Sequence, residues 1–178
     1  DTLIEQFGDI RNRVSDPCLQ ELLTRILTPE VRNIFFRAPA AKKIHHNYSG
    51  GLLEHTLNVA KLCTKAADNY PDLNRDLLIS GALSHDIGKL QEYELKVVPE
   101  YTVEGRLLGH IVMGSELITA QIAQMRAENL DFPPKLEWML KHMILSHHGS
   151  LEFGSPVIPL FPEAFMLYMM DNLDAKMF

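Results

Sequence analysis

The stretch Ser84-His85-Asp86-Ile87-Gly88-Lys89 sets an imidazole, a carboxylate and an ammonium at the end of the apolar run Leu77, Leu78, Ile79, Ala82 and Leu83. A carboxylate that follows such a run into a core must be compensated, because burying an unpartnered charge costs several kcal/mol. Two arrangements meet that demand. Asp86 can pair with Lys89 in a salt bridge, or His85 and Asp86 can act together as metal ligands. The dipeptide alone does not choose between them, so the choice rests on what further ligands the chain brings to the same core.

Helical spacing supplies candidates. Leu52 precedes His55 by three residues and Val59 follows it by four, so His55 lies on an apolar helical stripe and points inward. Taken alone, a histidine hydrogen-bonded within the core is the default reading of this position. Leu136, Leu140, Met143 and His147 recur at helical spacing and turn His147 to the core, whereas His148 shares a more polar face with Glu137 and Lys141. Asp171 follows Leu167 and Tyr168 by four and three residues, again placing a carboxylate on an apolar face. His110, next to Gly109, opens another helix and is compatible with an ordinary surface position. Taken together, His55, His85, Asp86, His110, His147 and Asp171 form a ligand set without thiolate, which suits divalent manganese, iron, cobalt, nickel or zinc. Because the set exceeds four ligands, it has room for one or two ions.

These residues must be carried by helices. Ser15, Asp16 and Pro17 cap a helix whose apolar positions are Leu19, Leu22, Leu23, Ile26 and Leu27, predicted to run to about Thr28 and to end at Pro29. Gly50 and Gly51 precede a second helix that stops near Pro71, and a third, Asp72 to about Ser84, delivers His85 and Asp86 at its carboxyl end. Residues 93–104 alternate loosely around Pro99 and suit a short hairpin or loop. Further helices are predicted from Gly109 to Asn129, from Pro134 to His148 and from Pro162 to the carboxyl end. The fold class is all-α.

Composition narrows the functional classes. The chain has 178 residues, 46% hydrophobic and 22% charged, which suits one soluble domain with one core. No apolar stretch reaches the ~20 residues of a membrane span and no basic-then-apolar leader is present, so a cytoplasmic protein without membrane contact is expected. Only two cysteines occur, Cys18 and Cys63, with core packing as their expected role. A net charge of −6 disfavours tight unaided binding to long nucleic acid. The local basic cluster Lys42, Lys43, His45 and His46 is a candidate for holding substrate phosphates, and would otherwise be a solvated face.

The order of His55, His85-Asp86, His110, His147 and Asp171 resembles the HD-domain superfamily of metal-dependent phosphohydrolases. Within it, "APAAKKIHHNYSGGLLEHTLNVAKL", "HDIGKLQEY", "YTVEGRLLGHI", "LSHHGSLEFGSP" and "MDNLDAKM" look like the HD domain of YhaM-type 3′-to-5′ exoribonucleases. The resemblance implies a helical bundle with its metal site between helices, occupying residues 38–178, after a helical extension or linker at residues 1–37. It further implies that His55, His85, Asp86 and Asp171 ligate one metal and that Asp86 bridges to a second, held by His110 and His147. Lys89 would neutralise the scissile phosphate, His148 would contact phosphate or serve as an alternative ligand, and Asp174 would orient a histidine from behind. Asp86, Lys89 and His148 are thus the expected catalytic residues.

The implied substrate is a phosphate ester, either single-stranded RNA or a nucleotide, and a homo-oligomer is allowed. YhaM-type enzymes carry an amino-terminal OB-fold, and nothing resembling its strands precedes Ala38. Two alternatives therefore stay open: a nucleotide or cyclic-dinucleotide phosphohydrolase, and a di-iron oxygenase or non-catalytic HD protein.

Overall fold

The computed structural model describes residues 2–40, 48–94 and 99–177. It opens with α1 (Leu3–Arg11), held by a reciprocal cap in which the Thr2 side chain accepts from Glu5 N–H and the Glu5 carboxylate accepts from Thr2 N–H. Next, α2 (Pro17–Ile26) has Asp16 as its cap and Pro17 in its first turn. Its stripe of Leu19, Leu22, Leu23 and Ile26 is buried. Pro29 does not simply end this helix. It begins α3 (Pro29–Phe35), capped by the Thr28 side chain, since a proline lacking N–H is as well suited to a first turn as to a stop.

The centre of the molecule is built by α4 (Gly51–Asn69) and α5 (Arg75–Ser84). Asn74 caps α5, so this helix starts slightly after the predicted Asp72. Every residue of α5 from Leu77 to Ser84 is buried, as expected for a helix apolar on all sides and enclosed by others. A short α6 (Lys89–Glu92) leads into β1 (Tyr93–Glu94), which pairs antiparallel with β2 (Glu100–Tyr101), Tyr93 opposite Tyr101. This is the predicted hairpin, reduced to two residues a side.

The long α7 (Val103–Ala127) is capped by Thr102 and so begins at Val103 rather than at Gly109. Gly109 lies inside it as a kink with φ 74°, a conformation that favours glycine, and the second half of the helix restarts at His110. The chain ends with α8 (Pro134–Ser146), a 3-10 turn (Leu151–Phe153) and α9 (Pro162–Met177).

One apolar core joins these elements. Phe7 of α1, Leu22 of α2, Phe35 of α3, Leu57 of α4, Leu78 of α5, Ile118 of α7, Met143 of α8 and Leu167 of α9 belong to the same buried cluster. The helices of residues 1–37 therefore share it. α4 packs on α1, α5 and α9, while α5 also meets α8. Gly88 makes a further approach possible: a Cβ there would fall 2.0 Å from the His110 carbonyl oxygen, so its absence lets α6 lie directly on the kink of α7. That contact brings the Asp86 turn next to His110. Among the described residues no helix is long and apolar enough to cross a membrane.

Candidate metal centre

Two helices end at the same place in the same way. His85 occupies the C-cap of α5 and His147 the C-cap of α8. In each, the imidazole folds back on its own last turn: His85 Nδ1–H donates to the Ala82 carbonyl at 2.8 Å and His147 Nδ1–H to the Ile144 carbonyl at 2.6 Å. A carbonyl only accepts, so these contacts fix the proton on Nδ1 and leave the Nε2 lone pair facing forward. Both rings are fully buried.

The other two inward imidazoles are anchored by carboxylates. His55 Nδ1 on α4 meets Asp174 Oδ2 of α9 at 2.7 Å, and His110 Nδ1 meets Glu92 Oε1 of α6 at 3.2 Å. Glu92 Oε1 also accepts the His110 backbone N–H at 3.1 Å, so one buried carboxylate both caps the restarted helix after the Gly109 kink and sets the ring. The spacing of the sequence suggested no role for Glu92. Its partner lies 18 residues away across the hairpin, where helical periodicity carries no information.

Four Nε2 atoms thus converge on Asp86, which is 3% exposed. Asp86 Oδ1 faces His110 Nε2 at 3.3 Å and His147 Nε2 at 3.5 Å. Its other oxygen, Oδ2, faces His85 Nε2 at 3.4 Å and His55 Nε2 at 3.6 Å. Asp171 Oδ1 reaches His55 Nε2 at 3.0 Å and His85 Nε2 at 3.8 Å. Asp86 Oδ1, His110 Nε2 and His147 Nε2 are buried without a hydrogen bond among the described residues. Buried polar atoms are almost always satisfied, and a lone pair facing lone pairs is satisfied by a cation. The His/Asp groups can therefore hold a divalent metal: the ligand atoms of His55, His85 and Asp86 lie within 4.8 Å of one another, as do those of His110, His147 and His148, and of His85, His147 and Asp171.

Electrostatics keep both carboxylates ionised and distinguish His55 from the buried His147. Burial alone would raise the pKa of Asp86, but the Lys89 ammonium and His85 outweigh it and hold the carboxyl well below its ordinary range. Burial likewise raises Asp171, and its hydrogen bond with His55 overcomes this and keeps it ionised. His55 is lowered by burial and raised more by Asp171 and Asp174, to about 9. His147 and His148 are pushed down, chiefly by burial, and so remain neutral, the form in which imidazole binds a metal.

The remaining candidates are placed as follows. Lys89 Nζ contacts Asp86 Oδ2 at 2.6 Å, so the salt bridge weighed from the sequence coexists with the ligand cluster. His148 Nδ1–H donates to the Phe153 carbonyl at 2.8 Å and its backbone N–H to Ser155 Oγ at 3.1 Å. Lys42, Lys43, His45 and His46 lie outside the described residues. A cavity of about 390 Å³ opens on the centre, and Asp86, Lys89, His148 and, from α9, Tyr168, Asn172 and Lys176 are among the residues that line it.

The chain is similar to known proteins over most of its length. The HD domain family model matches residues 52–176. The chain is 42% identical to the 3′-5′ exoribonuclease YhaM of Bacillus subtilis (strain 168) over 178 residues, covering 99% of this chain and 53% of the relative. Identity to proteins of the same name is 40% over 176 residues in Geobacillus sp. (strain WCH70), covering 98% of this chain and 52% of that relative, and 38% over 175 residues in Shouchella clausii (strain KSM-K16), covering 98% and 53%. The chain thus spans about half the length of these curated relatives. No solved structure gives a significant match. With the family model covering most of the chain, and its limits enclosing every candidate ligand from His55 to Asp171, the chain belongs to the HD domain family.

Proposed function

We propose that this chain is the hydrolytic part of a metal-dependent phosphodiesterase that shortens single-stranded RNA from its 3′ end. The observation that carries the reading is the placement of Asp86, with one carboxylate oxygen toward His110 and His147 and the other toward His55 and His85. That is the donor set of a two-ion site with a bridging carboxylate. We assign His55, His85, Asp86 and Asp171 to one ion and Asp86, His110 and His147 to the other, the ions being manganese, iron, cobalt, nickel or zinc. When bound, such a pair supplies Lewis acidity toward phosphoryl oxygens and lowers the pKa of water.

The chain's own residues do the rest. Asp86 stays ionised and anchors both halves of the centre. Lys89, at the cavity wall, offers its ammonium to the scissile phosphate. His148 has its Nδ1 proton committed to Phe153, so in its neutral form Nε2 is an electron-pair donor, and it serves better as a ligand completing the second site than as a donor to phosphate. Asp174 and Glu92 hold the rings of His55 and His110. Residues 38–178 form the catalytic unit in this reading, and 1–37 its structural support. Free thiols at Cys18 and Cys63 fit the reducing cytoplasm.

RNA as substrate is supported by the printed names of the relatives. The net charge of −6 and a cavity of about 390 Å³ favour, as a second reading, hydrolysis of nucleotides or cyclic dinucleotides. A 5′-labelled short RNA incubated with the Mn²⁺-loaded chain separates the two. A ladder shortening from the 3′ end is expected. Intact RNA alongside hydrolysed nucleotides would replace the first reading by the second.

A further inference from the structure

Phe153 is 64% exposed, yet its backbone is tied to the metal centre. Its carbonyl accepts from His148 Nδ1–H at 2.8 Å, and the turn around it is closed by Gly154 N–H to Leu151 O and Ser155 N–H to Ser150 O, each at 3.1 Å. Ser155 Oγ returns to the His148 backbone N–H at 3.1 Å. The main chain that carries this solvent-exposed ring is thus fastened to a candidate metal ligand, which keeps the ring within reach of the centre. Phe153 is one of the residues that line the cavity, together with Tyr168 and Asn172 of α9. A volume of about 390 Å³ is at the small end of ligand sites and has room for one nucleoside.

We propose that Phe153 is a specificity-determining residue, a stacking platform for the base of the nucleotide whose phosphate lies at the metal centre. The inference rests on the phosphodiesterase reading above and adds to it that the site recognises a base by its face. Every base presents a π-face to an aromatic ring, so recognition of this kind is strong and tolerant of sequence, as removal of nucleotides one after another requires.

Calorimetric titration of the Mn²⁺-loaded chain with AMP and with ribose 5-phosphate tests it without any turnover. The two share a phosphate and a sugar and differ in the base. AMP is expected to bind about tenfold more tightly, the scale of one stacked base. Phe153→Leu should bring the affinity ratio close to one, and Phe153→Trp should retain or increase it. Using the ratio cancels general damage to the site, and the exposure of Phe153 lets the variants fold, as an unchanged Tm would verify. A ratio that Phe153→Leu leaves at tenfold, or a wild-type ratio near one, overturns the stacking platform even if RNA is hydrolysed. A chain that cleaves no phosphodiester but shows the Phe153-dependent preference overturns the proposed function and supports the platform.

Discussion

Lys89 Nζ and Asp86 Oδ2 lie 2.6 Å apart, and that same carboxylate oxygen faces the Nε2 atoms of His55 and His85. Asp86 therefore has a close salt-bridge partner on Oδ2 and, on its other oxygen, no hydrogen bond among the described residues. The two residues are close neighbours in sequence and in space, but their expected roles are separable.

Asp86→Ala should lose bound metal and essentially all turnover, because both halves of the ligand cluster meet at its carboxylate. Lys89→Ala should keep its metal while hydrolysis slows by roughly 10²-fold, a typical loss for one electrostatic contact to a transition state. Metal content by atomic spectroscopy, set beside kcat, checks the order. A Lys89→Ala protein stripped of metal would assign Lys89 to the cluster's integrity instead.

Carboxylates behind metal-bound histidines typically contribute 10- to 100-fold in metal affinity. Asp174→Asn and Glu92→Gln are each expected to weaken binding by that scale, but at different ions: the first through His55, the second through His110. Stepwise Mn²⁺ titration followed by calorimetry should show the loss in a different step for each variant. Equal losses in both steps would contradict separate sites.

His55 gives the metal-free chain a signed pH response. Its ordinary pKa of 6.5 is raised to about 9 on folding. The protonated ring is thus favoured in the folded state, and its stabilisation is complete below pH 6.5 and disappears as pH rises through about 9. The urea midpoint of the metal-free protein should fall across that interval, and His55→Gln should lack this component of the slope. In the same window metal binding must expel the His55 proton, so calorimetry in buffers of different ionisation enthalpy should register proton release.

Leu22 is 1% exposed in the core shared by α2 and the central helices. Leu22→Ala should cost about 2–5 kcal/mol of stability by urea denaturation. KM for RNA should stay within twofold, since residues 1–37 act as structural support in the proposed function. A large rise in KM with an unchanged midpoint would place substrate contacts in this segment.

The convergence of these side chains was legible because each of His55, His147 and Asp171 breaks an apolar helical stripe, and such breaks are visible wherever periodicity is strong. The hairpin and the order of the central helices followed from the same punctuation. Pro29 misled because a proline after a helix reads as a stop, although the Thr28 cap makes it a start. Gly109 misled in the opposite direction: it reads as a helix boundary but is an internal kink, because Thr102 starts the helix upstream. Glu92 was invisible, as its work depends on a fold that sets α6 on α7 through Gly88, and no local pattern encodes that contact.

The paired C-caps at His85 and His147 have a consequence for the order in which molecules bind. Both α5 and α8 direct their carboxyl ends at the centre, and each such end carries roughly half a negative elementary charge from its aligned peptide dipoles. Added to the carboxylates of Asp86 and Asp171, these poles make the centre attractive to cations before any substrate arrives. The same field repels a phosphate until cations are in place. Under the proposed function, phosphate affinity is therefore expected to rise once cations are bound, a dependence to which the two helix ends contribute.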